Sequence, residues 1–301
     1  MDARTLSNSI GILAERALRE EVCATPKPGL VDRIDSGAHR DMDITTFLTS
    51  AQALRPYLIR FAEIGVSSCG APPSLFGELC ETGKQAEEAM LLATAGANTH
   101  KGAIFSLGLA CAAAGYCLRD DVAAKGEDIL LCCREIAAEK IARDFAQMSQ
   151  REPLSHGEKT FARYGAKGIR GEVETGFATV RSLSLPALEE LLQGGMPWGE
   201  ALIQTLLYLI ANMEDTNVLY RAGPEALRYA QTYAREVLEL GGMRSLRGRA
   251  LLADMNRDFI AQNISPGGCA DMLALTILIH SLQSIGQPQP AWCAEREEYI
   301  C

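Results

Sequence analysis

The chain has 301 residues, 48% of them hydrophobic and only 6% aromatic, so it can bury a large core and its composition favours helix over sheet. The formal net charge of −9 argues against a nucleic-acid-binding surface, whose affinity rests on clustered Lys and Arg. The ten cysteines follow no secretory signal and form no paired CxxC motifs, so we expect free thiols in a cytoplasmic protein rather than a zinc site.

The first predicted helix, over residues 4–22, is followed by a long connector from Cys23 to Asp43. Two prolines exclude a regular helix there, and a long irregular segment inside a compact domain is usually functional. Apolar residues alternate with its charged ones, so we expect the connector to lie against the body of the protein. Packed carboxylates need partners, and Mg²⁺ prefers oxygen ligands. A solvated polar loop is the alternative interpretation. The polar residues are Lys27, Asp32, Asp35, His39, Asp41 and Asp43.

Two further helices are predicted, one capped by Asp43 and one running from Ser74 to about Thr94. The stretch ANTHKG then opens an apolar run from Gly102 to Leu118, which is short for a membrane span and typical of a core helix. A helix N-terminus carrying an imidazole and an ammonium group can receive an anion, phosphate above all. The alternative is a buried helix whose first turn merely reaches the surface.

A second unusual connector, residues 149–176, follows a predicted helix over about 127–148. It is rich in glycine and carries Lys159, Arg163, Lys167 and Arg170. Glycines let backbone N–H groups approach a phosphate closely, although the P-loop pattern is absent. A flexible surface loop is the alternative. Glu172 and Glu174 are predicted to open the helix that follows.

Two more buried helices carry polar groups at their ends. The helix from about Trp198 to Met213 runs into EDTNVLYRAG, whose polar residues either cap the next helix or reach an interior cleft. Helices over 224–240 and 244–262 follow. The sequence NISPGGCAD then starts an apolar helix to about Leu282, with two bare glycines and Asp271 in its first turns. The tail 283–301 is expected to be peripheral.

We therefore predict one all-α domain over residues 1–301. It would contain about ten helices, central apolar helices, and a cleft formed by helix ends and the two long loops.

Six sequence segments in a fixed order resemble the triphosphoribosyl-dephospho-CoA synthase family: PKPGLVD, GAHRDM, NTHKGAIFSLGL, RGEVETGF, EDTNVLYRAG and NISPGGCADMLALT. They span residues 26–280, and the departures are small, with Val173 where Ala is usual and Cys269 in place of Ser. The resemblance implies that ATP and 3′-dephospho-CoA give 2′-(5″-triphosphoribosyl)-3′-dephospho-CoA and adenine. Such a product is the prosthetic-group precursor for the acyl carrier subunits of citrate lyase and malonate decarboxylase. An acyl carrier protein system would be the downstream partner, with neither nucleic acid nor membrane involved.

The resemblance also assigns site residues. We expect Glu172 or Asp271 as the base, with Asp215 beside them, and a magnesium ion held by Asp32, Asp41 and Asp215. Lys101, Lys167, Arg170 and Arg221 are candidates for holding the triphosphate. The remaining substrate-binding candidates are His39, Asn98, His100, Gly102, Asn217, Gly267 and Gly268.

Two other functions compete with this one. A magnesium-dependent nucleotide or ADP-ribosyl hydrolase would use water in place of the acceptor hydroxyl. A non-catalytic helical scaffold would scatter the charged residues of the loops over the surface.

Overall fold

The structure, a computed structural model, describes residues 1–120, 124–146 and 156–285. Part of the second predicted connector and nearly all of the predicted peripheral tail lie outside these residues. The described part is all-helical, as predicted, and has twelve α-helices where about ten were expected. They are α1 (Ala3–Cys23), α2 (Ile44–Ser67), α3 (Phe76–Ala93), α4 (Lys101–Leu118), α5 (Gly126–Ala146), α6 (His156–Tyr164), α7 (Gly168–Glu174), α8 (Leu185–Gln193), α9 (Trp198–Asn212), α10 (Thr216–Glu239), α11 (Leu246–Ala261) and α12 (Gly267–Leu282).

The first two helices begin at side-chain caps. Asp2 accepts the backbone N–H of Thr5 at 2.9 Å and starts α1. Asp43 and Thr46 form a capping box at the start of α2, each side chain bonding the other's backbone N–H. The two helices pack against each other along most of their length. Asp43 therefore has the capping role that the sequence predicted.

Helix α4 lies at the centre of the fold and is buried on nearly all sides. Methyl groups built on Gly65 of α2 and Gly115 of α4 would lie 2.0 Å from the carbonyl oxygen of Ala112 and 2.4 Å from that of Ala62. The two helices can therefore approach this closely only because both positions are glycine. By length and composition α4 could cross a membrane, yet most of it is buried inside the protein. It is the core helix that the sequence predicted.

Helices α9 and α12 complete the centre. Both are apolar on nearly all sides, and α12 contacts α1, α4 and α9. The hydroxyl groups of Ser184 and Thr276 share a buried hydrogen bond of 2.6 Å, so each satisfies the other within the core. The N-terminal ends of α4 and α12 lie close together, because Gly102 of α4 faces Asp271 of α12.

The second connector differs from the prediction, because its described part is largely helical. Residues 156–164 form α6 and residues 168–174 form α7, separated by a break at which Gly165 and Gly168 take positive φ values of 76° and 53°. These glycines end one helix and start the next instead of forming a phosphate loop. Glu172 and Glu174 consequently lie in α7 and do not open the following helix.

One cysteine corrects the prediction of free thiols. Cys23, the last residue of α1, is disulfide-bonded. The other described cysteines are free. Cys23 is buried with Val22 and Val31 in a small apolar cluster. The spacing of the cysteines along the chain does not indicate which of them are bonded.

Candidate active site

A large cleft of about 1320 Å³ opens where the first turns of α4, α10 and α12 approach α7 and the connector between α1 and α2. All residues that the sequence assigned to the site line this cleft, with the exception of Asp32. They are His39, Asp41, Asn98, His100, Lys101, Gly102, Lys167, Arg170, Glu172, Asp215, Asn217, Arg221, Gly267, Gly268 and Asp271. The structure therefore brings together residues that lie as far as 232 positions apart in the sequence.

Asp215 joins two helix N-termini. One of its carboxylate oxygens accepts the backbone N–H groups of Asn217 at 2.8 Å and Val218 at 3.2 Å, which caps α10. The other accepts the N–H of Cys269 in the first turn of α12 at 2.8 Å. Burial raises the pKa of this carboxyl, and the three backbone donors oppose that rise. Asp215 therefore caps α10 and also lines the cleft, so the two interpretations drawn from the sequence hold together. Its three hydrogen bonds leave few free lone pairs for a metal or a proton.

The two glycines at the start of α12 make room for these side chains. A methyl group on Gly267 would lie 2.7 Å from the Nδ2 atom of Asn217, and one on Gly268 would lie 3.0 Å from a carboxylate oxygen of Asp215. The first turn of α12, which carries two glycines as the sequence predicted, thus leaves space for the side chains of Asp215 and Asn217 at the start of α10.

The side chain of Asp271, a residue of α12, lies at the N-terminus of α4. A methyl group built on Gly102 would lie only 2.0 Å from the Oδ2 atom of Asp271, and the backbone N–H of Ala103 hydrogen-bonds to the same carboxyl. Burial, reinforced by the nearby carboxylates of Glu21 and Asp215, raises the pKa of Asp271 well above its usual range. Asp271 therefore favours its protonated form. The helix end that was predicted to hold a phosphate already holds a carboxyl group of the protein.

A buried ion pair supports this end of the cleft. The Nζ atom of Lys27 lies 2.5 Å from the Oε1 atom of Glu21, and each residue is less than 5% exposed. Burial raises the pKa of Glu21, whereas the charge of Lys27 opposes that rise. Both line the cleft. A pair removed from water in this way leaves a strongly unfavourable charge if one partner is lost.

The predicted magnesium ligands do not form a common site. The carboxylate of Asp32 accepts the backbone N–H groups of Lys27, Ile34 and Asp35 at 2.7–3.2 Å, so it folds the connector. The side chain of Asp41 is 67% exposed. Within residues 1–120, 124–146 and 156–285, no group of three His, Cys, Asp or Glu side chains could hold a metal ion. The residues present therefore do not fit a resident ion coordinated by these aspartates.

His100 is a buried, neutral imidazole. Its Nδ1 atom lies 2.7 Å from the hydroxyl of Ser50, which accepts a hydrogen bond from the hydroxyl of Thr99 at 2.7 Å. The ring meets that of Phe47 edge-on, at 5.0 Å between centroids. Burial, together with the charge of Lys27, lowers the pKa of His100 to about 3. His100 consequently adds no positive charge for a phosphate, and its Nε2 atom is buried with no partner among the described residues.

Lys101 is the cation at the start of α4. Its ammonium group pairs with Glu87 of α3, and its backbone N–H donates to the Oδ1 atom of Asn98 at 3.3 Å. The lysine side chain is 53% exposed. Exposed ion pairs contribute little to stability, so a phosphate group can displace Glu87 at small cost.

The cations of α7 are held in a similar way. The Nζ atom of Lys167 lies 2.6 Å from Glu174, and the guanidinium of Arg170 lies 3.4 Å from Glu158. Both cations also approach the ring of Phe145, at 5.4 and 5.9 Å from its centre. The cluster places two positive groups and an aromatic ring on the wall of the cleft.

Glu172 follows these two cations in the sequence and lies in α7. Its carboxylate accepts the hydroxyl of Thr179 at 2.6 Å and the backbone N–H of the same residue at 3.2 Å. Both residues are half-buried and line the cleft. Among the predicted catalytic carboxylates, Glu172 is thus the one held by a neutral side chain, with lone pairs left for a substrate proton.

Arg221 and His39 tie the first connector to the loop before α12. Arg221 donates to the carbonyl oxygen of Ala38 at 2.6 Å and contacts the side chain of Asn263. The Nε2 atom of His39 lies 2.8 Å from the hydroxyl of Ser265. Burial and the charge of Arg221 lower the pKa of His39. Arg221 therefore has a structural partner on each side, in addition to its place in the cleft.

Sequence reasoning missed several residues of the cleft. Glu21 lies within an ordinary amphipathic helix, and Phe47 was read only as part of an apolar face. Ser50 and Thr179 are small hydroxyl residues whose roles depend on contacts across the fold. A lysine between two prolines in an otherwise apolar segment is the one local indication that could have pointed to Lys27.

These features define an enzyme: an all-helical fold with buried ionisable groups facing a deep cleft and cations on the wall of that cleft. The cations and the size of the cleft indicate phosphorylated substrates. A family model described as ATP:dephospho-CoA triphosphoribosyl transferase matches residues 7–289. The chain therefore belongs to that family and is a transferase, which confirms the resemblance drawn from its motifs.

Individual relatives agree with the family model. A probable 2-(5″-triphosphoribosyl)-3′-dephosphocoenzyme-A synthase from Photobacterium profundum is 40% identical over 281 residues, covering 92% of this chain and 88% of the relative. A protein of the same name from Vibrio cholerae is 41% identical over 285 residues, covering 92% of this chain and 89% of the relative. The 2-(5″-triphosphoribosyl)-3′-dephosphocoenzyme-A synthase of Pectobacterium atrosepticum is 42% identical over 271 residues, covering 88% and 86%. No solved structure matches this chain.

Proposed function

We propose that the protein transfers the triphosphoribosyl group of ATP to the 2′-hydroxyl of 3′-dephospho-CoA, with adenine as the leaving group. The family match over residues 7–289 carries this proposal. The cleft supports it, because about 1320 Å³ exceeds the roughly 300–1,000 Å³ of a usual small-molecule site and suits two nucleotides side by side. The product would be the prosthetic-group precursor for the acyl carrier protein of citrate lyase or malonate decarboxylase. Its synthesis would take place in the cytoplasm.

The reaction forms one bond and breaks one bond. The 2′-oxygen of dephospho-CoA attacks C1′ of the ribose of ATP, and the bond from C1′ to N9 of adenine breaks while the triphosphate stays on the ribose. By analogy with glycoside chemistry, positive charge develops on the ribose in the transition state. The acceptor hydroxyl loses its proton and the departing adenine gains one, so the reaction needs a base and an acid.

Two carboxyl groups suit these roles. Glu172 is the base in our proposal, because its carboxylate is held only by Thr179 and faces the cleft. Asp271 is the acid, because its raised pKa keeps a proton on its carboxyl group. From the sequence, Asp271 was one of two candidates for the base; its raised pKa suits it to the acid role instead. After each turnover Glu172 releases its proton to water and Asp271 regains one. Pairs of carboxyl groups whose surroundings separate their pKa values commonly divide the acid and base work in this way.

Side-chain cations would hold the triphosphate. Lys101, Lys167 and Arg170 each carry a carboxylate partner that a phosphate group can replace. Phosphate oxygens carry more charge than a carboxylate, and Arg binds them in a bidentate manner. We propose that any magnesium ion enters bound to the triphosphate, as part of the substrate, since Mg²⁺ usually keeps waters and substrate phosphates as ligands. No step of the proposed reaction depends on it.

Adenine release tests the function against the hydrolase alternative. The protein is incubated with ATP, with and without 3′-dephospho-CoA, and adenine is measured by chromatography. Release that requires dephospho-CoA, together with a product heavier by one triphosphoribosyl group, is the expected result. Equal release of adenine without the acceptor would overturn the transferase proposal. Repeating the assay with a chelator present tests whether magnesium is required.

A further inference from the structure

A chain of hydroxyl groups favours one tautomer of His100. The hydroxyl of Thr99 donates to the oxygen of Ser50, and the hydroxyl of Ser50 lies 2.7 Å from the Nδ1 atom of His100. Once the oxygen of Ser50 accepts from Thr99, Nδ1 is the one partner left within the described residues for the single hydroxyl proton of Ser50, which favours donation of that proton to Nδ1. A neutral imidazole with Nδ1 as the acceptor carries its own proton on Nε2. The ring therefore presents an N–H group on its other side.

The Nε2 atom of His100 has no hydrogen-bond partner among the described residues. It is fully buried, in a residue that is only 3% exposed. Buried polar groups are nearly always hydrogen-bonded, and an unpaired donor destabilises the folded state. His100 lines the large cleft. A buried donor without a partner at the wall of a cleft is the arrangement expected when the partner is a ligand.

The surroundings of His100 select a flat, uncharged ligand group. Phe47 touches the imidazole, and it packs with Val31 and Met42 in the small apolar cluster at the connector, with all three lining the cleft. The nearby charge of Lys27 is already balanced by its buried carboxylate partner. Because His100 is itself neutral and Lys27 is already paired, a heteroaromatic ring suits these apolar walls and their single neutral donor better than a phosphate does.

We propose that Ser50 and Thr99 hold His100 as its neutral Nε2–H tautomer, and that this N–H group donates to a ring nitrogen of adenine bound in the cleft. The inference rests on the proposed function, in which both substrates carry adenine. A hydrogen bond to a ring nitrogen of the ATP base would orient it and stabilise negative charge as it departs. His100 thus binds the adenine ring, and the side-chain cations bind the phosphates. Ser50, which the sequence did not single out, becomes a positioning residue.

Nitrogen NMR tests the tautomer without any turnover. The protein has four histidines, so the ring ¹⁵N signals of His100 can be assigned by substitution. The expected spectrum shows a protonated Nε2 and an unprotonated Nδ1, and Ser50→Ala weakens this preference. Ser106→Ala is the matched control, because Ser106 is also a buried serine but its hydroxyl contacts only carbonyl groups of α4. A protonated Nδ1 in the unaltered protein would overturn the proposal.

Binding of base-modified nucleotides tests the ligand. His100→Ala should weaken binding of one adenine nucleotide by about 10-fold, the effect of a single buried hydrogen bond. Asn resembles the Nδ1 side of histidine and Gln resembles the Nε2 side, so His100→Gln should retain more affinity than His100→Asn. With 1-, 3- and 7-deaza forms of the nucleotide, the penalty for His100→Ala should vanish for the one that lacks the accepting nitrogen. An equal penalty for all forms would overturn the proposal.

The same measurements separate the two sources of adenine. If His100 binds the base of ATP, the deaza effect appears with ATP analogues, and kcat falls because this base leaves. If it binds the base of dephospho-CoA, the effect appears with that substrate and KM changes while kcat does not. Absence of adenine release by the unaltered protein would refute the proposed function, yet the tautomer and the binding differences would still stand. Thr99→Val, at a half-buried position, is a second variant if Ser50→Ala does not fold.

Discussion

Replacing Gly102 with alanine puts a methyl group where the carboxyl group of Asp271 now lies. The new carbon would be 2.0 Å from the Oδ2 atom, whereas ordinary contacts begin at 3.4 Å, so the two groups must separate by more than an ångström. Both sit on buried helices, and the backbones cannot move apart freely. The carboxyl group must therefore rotate away and give up its hydrogen bond from the N–H group of Ala103.

The size of the effect follows from two opposing contributions. Leaving a buried polar group without its partner costs about 1–3 kcal/mol, whereas Gly→Ala within a helix gains about 0.5–1 kcal/mol. We therefore expect Gly102→Ala to lower stability by about 1–2 kcal/mol, or Tm by about 2–6 °C. Gly77→Ala is the matched control, since Gly77 is likewise the second residue of its helix and a methyl group there meets nothing within 4 Å. The control should be at least as stable as the original protein.

The assay combines thermal unfolding with adenine release. Gly102→Ala should lose most of its turnover, because the displaced carboxyl group is the proposed acid. In an Asp271→Ala background the methyl group has space, so the stability penalty of Gly102→Ala should largely disappear. A Gly102→Ala protein as stable and as active as Gly77→Ala would refute this account of the α4 N-terminus.

Three further predictions concern single charged groups. Lys101→Ala should raise KM for ATP by about 10-fold, because a charge-assisted hydrogen bond to phosphate is lost. Lys125→Ala is the control, since Lys125 lies outside the cleft and its loss should leave KM unchanged. Equal KM values for the two variants would contradict the phosphate role of Lys101. Because the pKa of Asp271 is raised on folding, its protonated form favours the folded state, and stability should fall as pH rises from about 4 through the folded pKa. Asp271→Asn should flatten this dependence in urea unfolding curves, and an unchanged slope would disprove it. Asp215→Asn should cost about 1–2 kcal/mol in the same experiment, because the single amide oxygen of Asn can accept from only one of the two helix N-termini that the two carboxylate oxygens now serve. Unaltered stability would contradict the bridge.

Most of the fold was accessible from the sequence, because its central helices have simple patterns. The apolar run of α4 and the Ser-Pro start of α12 predicted their bounds to within a few residues. The second connector was read incorrectly, because its glycines suggested a loop. Gly171 in fact lies within a helix, whereas Gly165, Gly168 and Gly176 take a left-handed conformation. Sequence alone does not indicate which residues of a glycine-rich segment take a positive φ.

The membership of the cleft was also predictable, whereas the partners of its residues were not. Motif resemblance selected residues that all line one cleft apart from Asp32. What each of them does depends on contacts across the fold, such as the pairing of Asp215 with Cys269. Burial decides the protonation of His100 and Asp271, and burial is a property of the assembled helices. For this reason a histidine beside a lysine looked like part of a phosphate site and proved to be neutral.

The helix N-termini and the side-chain cations at the cleft have different roles. Asp215 caps α10 and reaches α12, and Asp271 occupies the start of α4, so the partial positive charges of three helix N-termini already face carboxyl groups of the protein. A triphosphate bound there would have to displace these carboxyl groups from the backbone N–H groups that they already occupy. The ion pairs of Lys101, Lys167 and Arg170 are easier to displace, because the side chains of their carboxylate partners are 14–34% exposed to water. The phosphates should therefore bind at the side-chain cations, which leaves the N-terminus of α4 to the proposed acid, Asp271, while Thr179 holds the proposed base, Glu172.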